Sequence, residues 1–405
     1  MTTPTAANEP LAPSKDGKSR ALRFVLMIGA VSLFADMTYE GSRSITGPYL
    51  AVLGASATAV GIVAGFGELL GYSLRLASGH LSDKTGQYWP ITIFGYVIQM
   101  LAVPAVALAG SWQVAAALII LERVGKATRN PPRNVMLARA SKELGRGWAF
   151  GLHEALDQFG ALCGPLIAAW VLYTRGSYRS AFAMLLIPAL LTLALVVVAR
   201  VIYPQPENLH SGKPPIETKG LPRPYWIYLA GAALVAAGYA DFSLVAYHFE
   251  KAGTVPRDWV PIFYSVAMGA GGLGSLVFGR IFDKLGIKVL VPLTIVASAA
   301  TPLVFLGGFG AALCGIALWG IGMGVHESIM SAAVAEMVSE SRLASAYGVF
   351  TTGYGIAWFL GSAALGVLYD RSIPWLIAFS VAVELLAVPF FVVIAARWRG
   401  STTRS

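Results

Sequence analysis

Gly79-His80-Leu81-Ser82-Asp83-Lys84-Thr85-Gly86 and Gly279-Arg280-Ile281-Phe282-Asp283-Lys284-Leu285-Gly286 follow one pattern, G-x-x-x-D-K-x-G, two hundred residues apart. Each joins the end of one long apolar segment to the start of the next. Two further pairs of landmarks keep the same order. Ala35-Asp36-Met37-Thr38 returns as Ala240-Asp241-Phe242-Ser243. Phe150-Gly151 and Gly164 return as Tyr347-Gly348 and Gly361 at a constant offset. Internal symmetry of this kind marks two helical bundles related by an axis along the membrane normal.

Composition places those bundles in a bilayer. Of 405 residues, 56% are hydrophobic and 13% charged, where a soluble protein carries roughly 25% charged residues. A bilayer core takes about 20 apolar residues per helical span. Runs of that kind predict twelve spans near 22–51, 56–82, 89–109, 111–138, 146–174, 179–203, 224–250, 257–282, 288–308, 310–338, 342–369 and 373–398. The expected fold is all-α, integral to the membrane, with twelve transmembrane helices in two pseudo-symmetric six-helix bundles. Residues 1–20 read as a disordered cytoplasmic tail, 21–203 as the N-terminal bundle and 204–223 as a proline-rich cytoplasmic linker. Residues 224–399 read as the C-terminal bundle and 400–405 as a second tail. Cys163 and Cys314, inside separate spans, read as packing thiols.

The net charge of +9 is not a nucleic-acid signal. Lys and Arg crowd alternate connections, among them Lys15, Lys18, Arg20, Arg23, Lys84, Arg139, Lys142, Lys284 and Lys288. The opposite connections hold only Arg175, Arg179, Lys251, Arg257 and Arg371. Positive charge stays cytoplasmic. Both termini, the linker and both G-x-x-x-D-K turns are therefore expected inside the cell, in a bacterial inner membrane.

With these motifs the chain resembles the major facilitator superfamily from about Leu22 to Arg397. The Gly79, Asp83, Lys84, Gly86 turn is similar to that superfamily's signature loop, although Gln87 and Tyr88 replace the usual basic residues. Gly279, Asp283, Lys284 and Gly286 form its second copy. The fifth span, Gly151-x8-Gly160-x3-Gly164-Pro165, resembles the motif of drug/proton antiporters, ending in Ala168-Ala169 where Gly-Gly is common. Arg123 stands where the superfamily often has an arginine implicated in proton transfer. The resemblance implies alternating access and drug/proton exchange. Independently of any family, small residues three and four apart let two helices approach closely, and a proline bends one of them.

Ionisable groups inside hydrocarbon cost on the order of 2.5–3.5 kcal/mol each, so each needs a reason. Asp36, Glu40 and Arg43 share one face of the first span; Glu68, Tyr72 and Arg75 share one face of the second. Glu122, Arg123 and Lys126 lie mid-span in the fourth, with Arg129 and Arg133 beyond them. His153, Glu154 and Asp157 lie in the fifth. The second half carries Asp241, His248, His326, Glu327 and Glu384. Asp36, Glu68, Arg123 and Asp157 are the candidates for proton coupling. Tyr39, Glu40, Tyr72, Lys126, His153, Glu154, Asp241, His326, Glu327 and Trp358 are the candidates for a substrate cavity. Glu40 with Arg43 reads as a fixed pair, Glu384 as snorkelling or locally paired, and Arg133 or Arg139 as a partner for Asp83.

The resulting expectation is a monomeric secondary transporter of a small organic solute, using protons and exporting its cargo, with no cofactor and no nucleic-acid partner. Proton-coupled uptake of an organic anion, held by Arg43, Arg75, Arg123, Lys126 and Arg129, stays open. Divalent-metal export through Asp36, Glu40, His153, Asp157 and His326 is weaker, since no tight ligand spacing appears and no metal site is expected. An enzyme is not expected. His153-Glu154 and His326-Glu327 do not extend to H-E-x-x-H, and neither G-x-S-x-G nor a phosphate-binding loop is present.

Overall fold

A computed structural model describes residues 15–140, 144, 146–204, 220–339 and 342–397. Most of the linker and both extreme tails therefore lie outside the described residues. So do Lys142 and the side chain of Glu327.

The described chain is helical throughout. The first half contains α1 (Lys15–Val52), α2 (Ala57–Thr85), α3 (Tyr88–Ala105), α4 (Trp112–Ala140), α5 (Arg146–Arg175), α6 (Tyr178–Met184) and α7 (Leu186–Ile202). The second contains α8 (Arg223–Gly238), α9 (Phe242–Ala252), α10 (Trp259–Leu285), α11 (Leu290–Ala297), α12 (Ala300–Leu306), α13 (Phe309–Met337), α14 (Leu343–Arg371) and α15 (Ile373–Arg397). Three helix pairs, α6–α7, α8–α9 and α11–α12, each make one crossing.

Among the described residues ten stretches are long and apolar enough to span a membrane. One of them, Trp259–Leu306, runs 48 residues, about 70 Å of helix, more than twice a bilayer core of about 30 Å. It breaks at Gly286, whose φ of 60° and ψ of −149° suit glycine alone, and so supplies two crossings. The stretch left out is α4, which carries Glu122, Arg123, Lys126, Arg129 and Arg133. Twelve crossings result among the described residues.

The three broken crossings, expected as continuous helices, have local causes. Pro188 has no N–H to give the carbonyl of Met184, where α6 ends, and Pro302 does the same to Ser298 between α11 and α12. The α8–α9 break has its own supports. Asp241 caps α9 by accepting from the Ser243 amide at 2.8 Å. Ser380 donates to the freed carbonyl of Gly238 at 2.7 Å and Trp319 Nε1 to that of Ala240 at 2.8 Å. Irregular backbone at membrane depth survives because protein groups satisfy it. At the other margin α1 begins at Lys15, so residues 15–20 are helical and not part of a disordered tail.

The halves repeat one another in packing. In the first, α5 lies along α1, and a Cβ at Gly164 would collide with the carbonyl of Met37. In the second, α14 lies along α8, and a Cβ at Gly361 would meet the carbonyl of Ala237. The same seam, closed by the same glycine, occurs twice. The bundles meet where α1 packs on α9, α2 on α14 and α5 on α10. Six crossings separate the two G-x-x-x-D-K turns, so both lie at one end of the molecule, here the motif end. Gly86 closes the first turn in the left-handed region at φ 67°, its N–H bonded to Ser82.

Candidate functional site

The interface between the bundles is open at one end and shut at the other. At the motif end a vestibule of about 950 Å³ is walled by Gly79, His80, Asp83, Asn134, Phe150 and Ser345. It runs into a central cavity of about 360 Å³. Tyr72, Arg75, Tyr347 and Thr351 line both and form the neck. At the opposite end the carboxylate of Asp370, from α14, caps α2. It accepts from the amides of Ala57 and Thr58 at 3.0 and 2.8 Å and from Thr58 Oγ1 at 2.6 Å. Tyr247 donates to Ala55 at 3.1 Å, and Tyr178 to Glu250 at 2.7 Å. Backbone meets backbone there without spacers: a Cβ on Gly47 would enter Ser243, and one on Gly61 would enter Ser362.

Helical spacing of four and seven assembles the charged lining. Tyr39, Glu40 and Arg43 come from α1, Glu68, Tyr72 and Arg75 from α2, and Arg123 and Lys126 from α4. Glu68 lies between two guanidiniums, 3.4 Å from Arg43 and 3.1 Å from Arg123. Arg123 also donates to the Tyr39 hydroxyl and lies 3.5 Å from Glu122. The same Arg43 nitrogen that meets Glu68 lies 3.5 Å from Asp241 in the other bundle. Glu40 accepts from Tyr264 of α10 at 2.6 Å. The expected Glu40–Arg43 pair is thus replaced by two contacts that each cross the bundle interface. A guanidinium has donors enough to serve two carboxylates, and none of these charges faces lipid.

Deeper in the first bundle is a second polar set. Arg129, fully buried, donates to Gln99 at 2.5 Å and Tyr96 at 3.1 Å and lies 3.5 Å from Asp36. Gln99 in turn donates to Glu122 at 2.9 Å, which joins this set to the cavity wall. Arg133 donates to Ser32 at 2.8 Å, and Ser32 bonds His153 at 2.9 Å. Arg133 is therefore not the partner of Asp83, which accepts from Tyr88 at 3.3 Å. Buried Asp157 Oδ1 has no hydrogen-bond partner among the described residues.

The other sequence candidates scatter. Tyr39, Glu40, Glu68, Tyr72, Arg123 and Lys126 line the cavity. Asp241 stands just behind it as the α9 cap. His153 and Asp36 lie inside the first bundle. Glu154 is exposed on α5 and accepts from Gln158 at 3.0 Å, so it does not line the cavity; helix geometry turns it about 100° from His153. His326 and Trp358 pack on Tyr239, at 6.3 and 5.9 Å between ring centroids, behind the wall. Gly160 and Gly164 press on the α1 backbone, whereas Gly151 has open space around it. Asp283 and Lys284 are exposed at the motif end. Sequence reasoning missed Tyr347, Phe350 and Thr351, which form the facing wall on α14. Their spacing of three and four was legible, but nothing polar drew notice to it. Glu384 is paired locally: at 1% exposure it does not snorkel, and its Oε1 accepts from Ser380 one turn away at 3.4 Å, while its Oε2 has no partner among the described residues.

Known proteins agree with this architecture. An uncharacterized protein of Mycobacterium tuberculosis (strain H37Rv) is 39% identical over 94% of this chain and 96% of its own length. An uncharacterized MFS-type transporter of Methanocaldococcus jannaschii is 24% identical over 90% of this chain and 93% of its own. A multidrug resistance protein, MdtH, of Aeromonas hydrophila is 22% identical over 82% and 86%. The solved nucleoside transporter NupG superposes with a TM-score of 0.73 over 92% of this chain and 98% of its own, at 16% identity, a likeness of fold. A family model described as Major Facilitator Superfamily matches residues 26–362 and 259–404. Twelve crossings in two repeated bundles around a charged cavity, with that match over nearly the whole length, place the chain in the Major Facilitator Superfamily of membrane transporters.

Proposed function

We propose that this transporter exports a small organic solute in exchange for protons by rocking its two bundles about the central cavity. The observation that carries the reading is the cavity itself, reached from the motif end and sealed at the other by Asp370, Tyr247 and Glu250. The distribution of Lys and Arg supports a cytoplasmic motif end and cytoplasmic termini, so the present state receives cargo from inside the cell. The glycine seam of α5 and the name of the MdtH relative support export.

Arg43 supports the coupling. It binds Glu68 of its own bundle and Asp241 of the other through one nitrogen. When Glu68 takes up a proton, Arg43 loses one of two competing carboxylates and leans toward Asp241, strengthening the tie across the interface. Losing that proton restores the tie within the bundle. Asp36, beside Arg129, and Asp157, whose Oδ1 has no hydrogen-bond partner among the described residues, supply a path for protons into the first bundle.

Asp36→Asn and Asp157→Asn, reconstituted in vesicles, are expected to stay folded and to lose solute movement driven by an imposed proton gradient. Undiminished gradient-driven transport in both variants would remove the proton pathway. Expression in an efflux-deficient strain tests direction, since an exporter lowers accumulation of its cargo and an importer raises it.

A further inference from the structure

Resting on the transport reading, we infer that the cargo is an organic anion, its carboxylate or phosphate held between Arg75 and Lys126 and its apolar body laid on the aromatic wall of α14. The lining residues of the cavity carry four cations, Arg43, Arg75, Arg123 and Lys126, against two carboxylates, Glu40 and Glu68. Glu122 and Asp241 just behind the wall bring the set to balance, but the two signs are not equally committed. Glu68 is taken by Arg43 and Arg123, Glu40 by Tyr264, Glu122 by Gln99 and Arg123, and Asp241 by Arg43 and the Ser243 amide. Of the cations, Arg43 and Arg123 are spent on those carboxylates.

Arg75 and Lys126 are not. Neither has a carboxylate within 4 Å among the described residues; the ion pairs there involve other groups. Arg75 lies over the ring of Tyr72 at 5.5 Å, and Lys126 over that of Tyr39 at 3.3 Å. A ring face steadies a cation without using up its N–H donors. A solute entering the cavity therefore finds spare donors and uncommitted positive charge, while each carboxylate there already holds a cation or a donor. Arg75 stands at the neck and Lys126 beyond it, an order that draws an anion inward. Opposite them stand Tyr347, Phe350 and Tyr354. Phe350 and Tyr354 stack at 6.2 Å and 16°, and Tyr354 meets Tyr72 edge-on at 6.1 Å across the interface. That is a surface for a ring or a short apolar chain. Anion export also has a ready driving force, because an inside-negative potential pushes a negative solute outward.

The test uses the purified full-length protein and four probes on one ring system: naphthoate, naphthyl phosphate, naphthylmethanol and naphthylmethylammonium. Calorimetry and thermal stabilisation should show one or both anions binding at least about tenfold tighter than the alcohol and the ammonium. Which anion wins assigns the headgroup. Arg75→Gln and Lys126→Gln should each weaken the favoured anion by about tenfold, the scale of one lost charge-assisted hydrogen bond, and leave the alcohol unaffected. Arg175→Gln, at an exposed helix end, serves as the control and should bind like wild type. Equal or tighter binding of the ammonium, no anion preference at millimolar concentration, or unchanged anion binding in both variants overturns the assignment. Binding is read without transport. Anion selectivity in a protein whose ends do not move would sink the transport reading alone; moving ends with a preference for the ammonium would sink the anion site alone.

Discussion

Glu68 is the residue on which the cavity's electrostatics turn. Two guanidiniums share it, and removing its charge leaves Arg43 and Arg123 facing one another with nothing to offset their repulsion. Losing one partner of a fully buried pair costs about 3–5 kcal/mol; with 16% of the Glu68 side chain exposed, about 1–3 kcal/mol is expected for Glu68→Gln. That variant should melt several degrees lower and stop transporting. Adding Arg43→Gln should recover much of the stability and none of the transport, and a melting temperature that falls further with the second change would contradict the account. Much of this residue-level picture was legible in the sequence. Charges spaced by three, four and seven on apolar helices must share faces, and that put Glu40 with Arg43, and Glu68 with Tyr72 and Arg75, on faces that line the cavity. Partners across the bundle interface were not legible. Nothing in the spacing of Glu40 chooses Tyr264, 224 residues away, over Arg43 on the next turn. Glu154 misled because adjacent residues on a helix point about 100° apart, and a neighbour of buried His153 need not be buried.

At the scale of the helix, two features carry predictions. The α5 glycines are unequal: Gly164→Ala would press a methyl into the Met37 carbonyl of α1, while Gly151→Ala meets nothing within 4 Å. The first should destabilise by about 1–3 kcal/mol and impair transport, and the second should do neither in the motif-open state; equal effects of the two would contradict the packing. Asp370 holds the N-terminus of α2 from the opposite bundle, a cap worth about 0.5–2 kcal/mol. Asp370→Ala should loosen the closed end and raise the labelling rate of a cysteine at Ser243 by an impermeant maleimide severalfold, in a background with Cys163 and Cys314 replaced. An unchanged rate would show that the cap does not hold the gate. The helices themselves were readable from apolar runs. The break at Tyr239–Asp241 was not, although Ala240-Asp241 was recognised as the counterpart of Ala35-Asp36. The duplicates have diverged in role: Asp36 projects from a continuous helix, and Asp241 ends one. An Asp reads as a cap only when the chain before it stops being helical, and here the stop depends on Ser380 and Trp319 from distant helices.

The whole molecule is two copies of one packing scheme hinged about a charged centre. The paired seams at Gly164 and Gly361 keep each bundle rigid, so motion is left to the α1–α9, α2–α14 and α5–α10 contacts. Pulsed electron spin resonance on two doubly labelled proteins reads that motion directly. One pair, His80 with Leu343, spans the motif end; the other, Val52 with Lys251, spans the closed end. On adding a bound cargo with a proton gradient, or on introducing Asp370→Ala, the first distance should shorten as the second lengthens. Both distances fixed, or both moving in the same sense, would contradict two rigid bundles rocking about a central site.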